Sequence, residues 1–260
     1  EDVQTWWLYR MVRSPRPLQE KLTLFWHGHF CTQVSKVGRA LDMYDQNHLF
    51  RTAGLGSFEA LTQQMSVQVA MLVYLDNEPN AKGSPNENFA RELMELFTLG
   101  SGYDERDIRE AARALTGFDY DWEQRRPFWN ESAHDPGVKT IFGQRGRFRP
   151  DDVVRLCVEH PAHAPFLCAK LWSYFSPEAP EPRTLARLVD AYRGSGRQLR
   201  PLLRAILTAP QLYASLPEPD LVKPPVVFLV GALRATGTFI DRPDWVWLLE
   251  QMGQLPFYPP

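Results

Sequence analysis

Apolar residues recur at helical spacing along almost the whole chain. Leu18, Leu22, Phe25, Trp26 and Phe30 mark one helix, opened by the turn at Pro15 and Pro17, and Phe58, Leu61, Met65, Val69 and Leu72 mark a second. A third is predicted from Glu87 to Leu99, stopping at Gly100, where a left-handed C-terminal residue costs least. The fourth starts at Asp104. Its Asp104 and Asp107 suit the positive end of the helix dipole, Ile108, Ala111, Ala112 and Leu115 form the buried stripe, and Gly117 ends it.

Residues 118–150 break this rhythm with Gly, Pro and two Trp and no apolar period, which predicts a long ordered loop or a small β excursion. Helices resume at 152–159, 161–175, 184–192, 199–207, 225–236 and 245–252. The pattern predicts an all-α fold of nine or ten helices, a multi-helix orthogonal or antiparallel bundle, as a single helical domain over 1–260.

Composition adds that the chain reads as globular. Its 260 residues are 44% hydrophobic and carry 29 Lys+Arg against 31 Asp+Glu, a formal charge of −2. With no basic patch, a nucleic acid is not an expected partner. No apolar run approaches the roughly 20 residues that span a bilayer, and no signal peptide is evident. Cys31, Cys157 and Cys168 have no CxxC spacing and read as small buried apolar residues.

Three groups carry candidate chemistry. On the third helix Asn88, Glu92 and Glu95 stand at i, i+4 and i+7, a polar stripe bordered by Phe89, Leu93, Met94, Leu96 and Phe97. Carboxylates buried there need a partner, a proton or a cation, so Glu92 and Glu95 are candidates for chelating a divalent metal or for acid–base work. Alternatively the stripe faces solvent, with Glu87 pairing Arg91 and the other two pairing a neighbouring helix.

The second group is His27 and His29 in FWHGHF. Two residues apart on a helix they point about 200° apart, so they share a metal only if the helix breaks at Gly28; otherwise each is a hydrogen-bonded core histidine. The third is His134, Asp135 and Lys139 in HDPGVKT, which offers a ligand, an orienting carboxylate and an anion contact, or simply a well-made turn. His160 and His163 read as structural residues at a helix start. Motifs for a nucleophile elbow, a phosphate loop, a dinucleotide site and a zinc-protease helix are missing.

LQEKLTLFWHGHF, NENFARELMELFTLG, DIREAARALTGF, HDPGVKTIFG, HPAHAPFLCAKLWSYF, LLRAILTAPQLY and LVKPPVVFLVGALRATG together make the chain resemble, over nearly its whole length, the bacterial domain-of-unknown-function-1800 family. The resemblance implies shared residues at His27, His29, Asn86, Glu87, Asn88, Arg91, Glu92, Glu95, His134, Asp135, Lys139 and Lys170, with Gly28, Pro225 and Val227 as departures. It also implies an internal segment of a longer protein, truncated at both ends relative to the family pattern and often exported, hence periplasmic or secreted. It brings no activity with it.

Two functions follow as expectations. In the first, a metal-dependent enzyme uses Glu92, Glu95, His134 and Asp135 as catalytic groups, His27, His29, Glu92 and Glu95 as ligands of a divalent metal, and Arg91, Lys139 and Asn88 to hold an unknown substrate. Hydrolysis is preferred to oxidation because the paired ExxH repeat of helical di-iron sites is missing. In the second, the chain is an exported binding or assembly module for a cell-surface polymer or partner protein, and the same residues form a structural network. A fully paired Glu/Arg network and an exposed apolar patch away from Glu92 would distinguish it. A metal-free carboxylate enzyme acting on carbohydrate through Glu87 and Glu92 is a third possibility.

Overall fold

In the computed structural model, residues 2–77, 80–124, 126–214, 221–240 and 244–259 are described. They form fourteen α-helices, one π-helical turn and two two-stranded sheets, so the fold is mostly all-α as the periodicity predicts. Packing groups the chain into two units, Glu1–Gly54 with Asp220–Pro260, and Leu55–Pro219.

The first unit holds α1 (Asp2–Arg13), α2 (Pro17–His29), α3 (Val34–Val37), α4 (Ala40–Ala53), α13 (Pro225–Thr236) and α14 (Asp244–Gln251). Helix α1 buries Gln4, Trp7, Leu8, Met11 and Val12, an i, i+3, i+4, i+7, i+8 stripe, and packs on α2, α4, α13 and α14. The two ends of the chain are tied together inside this unit: Gln4 Nε2 donates to Pro256 O at 2.9 Å and the Trp7 and Phe257 rings lie 5.1 Å apart. The apolar pattern did not reveal α4 because polar groups occupy its inner face. Asp42, Gln46, Asn47 and Arg51 are buried there beside Met43, Leu49 and Phe50. Arg51 reaches Glu20 of α2 with Nε and Nη2, both at 3.0 Å, and Arg10 joins at 2.8 Å.

The second unit comprises α5 (Phe58–Ser66), α6 (Val69–Tyr74), α7 (Glu87–Glu92), the π turn Leu93–Thr98, α8 (Glu105–Ala114), α9 (Pro150–Glu159), α10 (His163–Ser173), α11 (Pro182–Gly194) and α12 (Leu199–Leu207). The single helix expected through Phe58 and Leu72 is two. Thr62 and Ser66 hydroxyls bond back to carbonyls four residues earlier, which weakens a helix, and Gln68 turns to extended backbone. Helix α8 begins with a reciprocal capping box between Asp104 and Asp107.

Within 118–150 lie two antiparallel hairpins, β1 (Phe118–Asp121) with β2 (Arg126–Trp129), and β3 (Lys139–Ile141) with β4 (Gln144–Gly146). The second turns through Phe142 and Gly143, both at positive φ (50° and 74°), the arrangement that suits the strand twist.

Candidate functional site

The helix expected from Glu87 to Leu99 changes register halfway. Asn86 caps α7 by accepting from Asn88 N at 2.9 Å, and from Leu93 the backbone widens: Leu99 N bonds Met94 O, five residues back, at 2.9 Å. Such turns recur at functional sites because they loosen carbonyls from the ladder. Here neighbours from α10 take them. Lys170 Nζ donates to Leu96 O at 2.9 Å, and His163 Nδ1 donates to Thr98 O at 2.9 Å while its Nε2 meets Tyr192 Oη at 3.0 Å.

On the outer side of this turn, Glu92 is half-buried and Glu95 exposed. Burial raises the Glu92 carboxyl above the usual range, and the neighbouring Glu95 charge raises it further against an opposing pull from Arg91. Glu92 makes no hydrogen bond or ion pair among the described residues. Tyr103, which sequence reasoning missed, lies near Glu95; its phenol is raised mainly by burial and further by the Glu95 charge. Arg91 is committed elsewhere, donating to both Glu105 oxygens at 2.8 and 2.9 Å and lying 3.5 Å from Glu87. Asn88 Nδ2 donates to Leu75 O at 3.2 Å, and Asn86 donates to Asp76 O, so these amides tie down the preceding loop.

The HDPGVKT segment is a clamp. Asp135 Oδ2 accepts from Arg113 Nε at 2.8 Å, its Oδ1 accepts from Gly137 N at 2.7 Å, and its own N–H donates to Thr116 Oγ1. Lys139 is 1% exposed and donates to Phe148 O at 3.0 Å and to Asp135 O. Its ammonium is pushed down by burial, partly offset by the Asp135 charge. His134 is buried and donates from Nδ1 to Thr116 O at 2.8 Å. Glu110 and Asp107 of α8 accept from Thr140 N and Phe142 N, fastening the β3–β4 hairpin to that helix.

His27 and His29 belong to the first unit. Helix α2 continues through Gly28 to His29, so the break a shared ligand site needs is not made. His27 Nε2 accepts from Phe257 N at 3.1 Å and its ring lies edge-on to Trp7; burial drops its pKa to about 4. His29 stacks on Phe25 and stands edge-on to Trp26 and Phe30. Cys157 and Cys168 are buried as expected, whereas Cys31 is half-exposed.

Among the described residues no group of three or more His, Cys, Asp or Glu is placed to hold a metal ion. Glu92 and Glu95 have no third such donor beside them among the described residues.

The family model "Protein of unknown function (DUF1800)" matches residues 1–260. The chain belongs to the DUF1800 family. No curated protein and no solved structure matches it. The polar residues that the resemblance marks as shared by this family are therefore seen here mostly as ties between elements, with Glu92 and Glu95 set apart from them.

A second feature lies in the first unit. Helix α13 is apolar apart from Arg234 and the terminal Thr236, a composition usual in a covered helix. Yet Phe228 is 53% exposed, and Trp247 on α14, which packs against it, 61%. The sequence VVFLVGALRAT predicts a helix over 225–236 and says nothing of its exposed face. No helix among the described residues is long and apolar enough to cross a membrane.

Proposed function

We propose that the chain is a binding or assembly module, engaging a partner protein through the apolar surface of α13 and α14. The observation that carries this reading is the exposure of Phe228 and Trp247 on two helices that pack together, with Leu221, Val222 and Phe239 also exposed near them in sequence. Large aromatic groups left in water at this density mark interaction surfaces, where Trp and Phe supply much of the binding energy. Supporting it, Arg91, Asn88, His134, Asp135, Lys139 and Lys170 are used in ties within the second unit. The exported setting implied by the family resemblance belongs to the same proposal and puts the partner outside the cytoplasm.

The test is to purify the chain from its native cells with and without Phe228→Asp and Trp247→Asp. The reading expects a stoichiometric companion protein that the double variant loses while keeping its helicity and melting temperature. Retention of the companion by the folded variant contradicts it.

A second reading has one observation of its own, the half-buried Glu92 carboxyl raised beside Glu95. It is a metal-independent hydrolase in which protonated Glu92 is the general acid and Glu95 is the carboxylate partner. Turnover on a panel of ester and glycoside substrates, abolished by Glu92→Gln with the fold intact, would favour it.

A further inference from the structure

Beyond α14, residues 254–258 cross the first unit as an irregular strap held by four hydrogen bonds to four different places. Gln254 Oε1 accepts from Val226 N at 2.9 Å, Pro256 O from Gln4 Nε2 at 2.9 Å and Phe257 O from Val34 N at 3.0 Å, while Phe257 N donates to His27 Nε2 at 3.1 Å. Phe257 is 2% exposed, its ring 5.1 Å from that of Trp7 and 5.5 Å from that of His27. Its φ of 65° is a left-handed conformation that a bulky side chain rarely takes and that costs stability. The strap is strained where it is held most closely, so it depends on its tethers.

One tether of the four depends on a proton. To accept from Phe257 N, His27 Nε2 must carry no hydrogen, which puts the ring proton on Nδ1. Protonation makes both nitrogens donors, sets one N–H against another, and leaves a charge among aromatic rings. No countercharge faces it. Trp7 of α1 and Phe257 and Tyr258 of the strap bring none. Glu20 of α2 is taken by Arg10 of α1 and Arg51 of α4, Asp42 of α4 lies toward Arg39, and His29 stacks on Phe25. Burial is accordingly the sole cause that lowers the His27 pKa, to about 4.

We propose that residues 254–258 are a latch that acid opens: protonation of His27 breaks its bond to Phe257 N and lifts the strap off α2 while the helices beneath stay folded. A free imidazole titrates at 6.5 and the latched one at about 4, so the latch is fully held above about pH 6.5 and lost progressively as pH falls to about 4. This device is separate from the protein-binding surface and stands or falls independently of it.

The experiment is amide hydrogen exchange of the full chain, read by NMR at pH 7 and 4.5 in low urea concentrations, for the wild type and His27→Gln. Phe257 N–H should be less protected than Phe30 N–H, which bonds Trp26 O at the end of α2, and its protection should be insensitive to low urea, the mark of local opening. From pH 7 to 4.5 that protection should fall about fiftyfold, the ratio set by pKa values of 6.5 and about 4. His27→Gln keeps an acceptor and should abolish the fall; if that variant does not fold, the wild-type measurement decides alone. Equal protection and equal urea dependence at Phe257 and Phe30 would overturn the proposal, since the strap would then leave only on unfolding. So would Phe257 protection that does not change with pH, or a fall that persists in folded His27→Gln.

Discussion

Arg113 Nε donates to Asp135 Oδ2 at 2.8 Å, and Arg113 Nη1 holds Glu110 at 2.9 Å. One guanidinium therefore joins the HDPG turn to α8, and Glu110 carries the tie on to Thr140 N of the hairpin. This is a folding device: both charges are partly buried and each has its acceptors or donors in use. Asp135→Asn should keep the Gly137 contact, remove the negative charge that faces Arg113, and lower stability by about 1–2 kcal/mol. Urea denaturation checks it, and a matching loss from Arg113→Met that is not additive with Asp135→Asn would identify the shared contact.

A larger loss is expected at Glu20. It and Arg51 are nearly inaccessible and meet through two bonds of 3.0 Å, so Glu20→Gln leaves a buried guanidinium without its countercharge. The expected cost is about 3–5 kcal/mol. By contrast, Arg91→Gln, which breaks the exposed contacts with Glu105 and Glu87, should leave the urea midpoint essentially unchanged.

Helices were legible where one face alone is apolar. Helix α8 is the clearest case, with its Asp104 cap, its Ile108, Ala111 and Ala112 stripe, and Gly117 beyond its end. The inner face of α4 hid that helix because Asp42, Gln46, Asn47 and Arg51 look like surface residues until Glu20 is seen beside Arg51. The π turn was invisible for a different reason: NENFARELMELFTLG has ordinary helix formers throughout, and the widening is met by Lys170 and His163 from more than 60 residues away. Of the candidate groups, the proximity of Glu92 and Glu95 follows from their spacing. That Lys139 and Asp135 act on backbone groups depends on a hairpin whose docking to α8 no local pattern announces.

Acid should weaken the fold before most carboxylates titrate. Burial lowers His27 and His163 to about 4 each, below the 6.5 of an unfolded histidine, so the unfolded chain binds more protons as pH falls. Stability is complete above about pH 6.5 and lost progressively down to about 4, by up to about 3 kcal/mol per residue. His27→Gln keeps an acceptor for Phe257 N and should make the stability–pH slope shallower between pH 6 and 4.5; an unchanged slope would count against the assignment.

The carboxyl of Glu92 should titrate above an ordinary glutamate, because burial and Glu95 both favour its protonated form. Carboxyl carbon-13 shifts followed with pH would show this directly, and Glu95→Gln should bring the midpoint down. A Glu92 midpoint at or below the usual value would remove the basis for the acid–base reading.

Docking of another protein on the surface of α13 and α14 is tested by photo-crosslinking in the native cells from benzoylphenylalanine placed at Phe228 or Trp247, with the exposed Arg106 of α8 as control. One protein adduct is expected from positions 228 and 247, and none from 106. Crosslinks from all three positions alike, or from none, would contradict it.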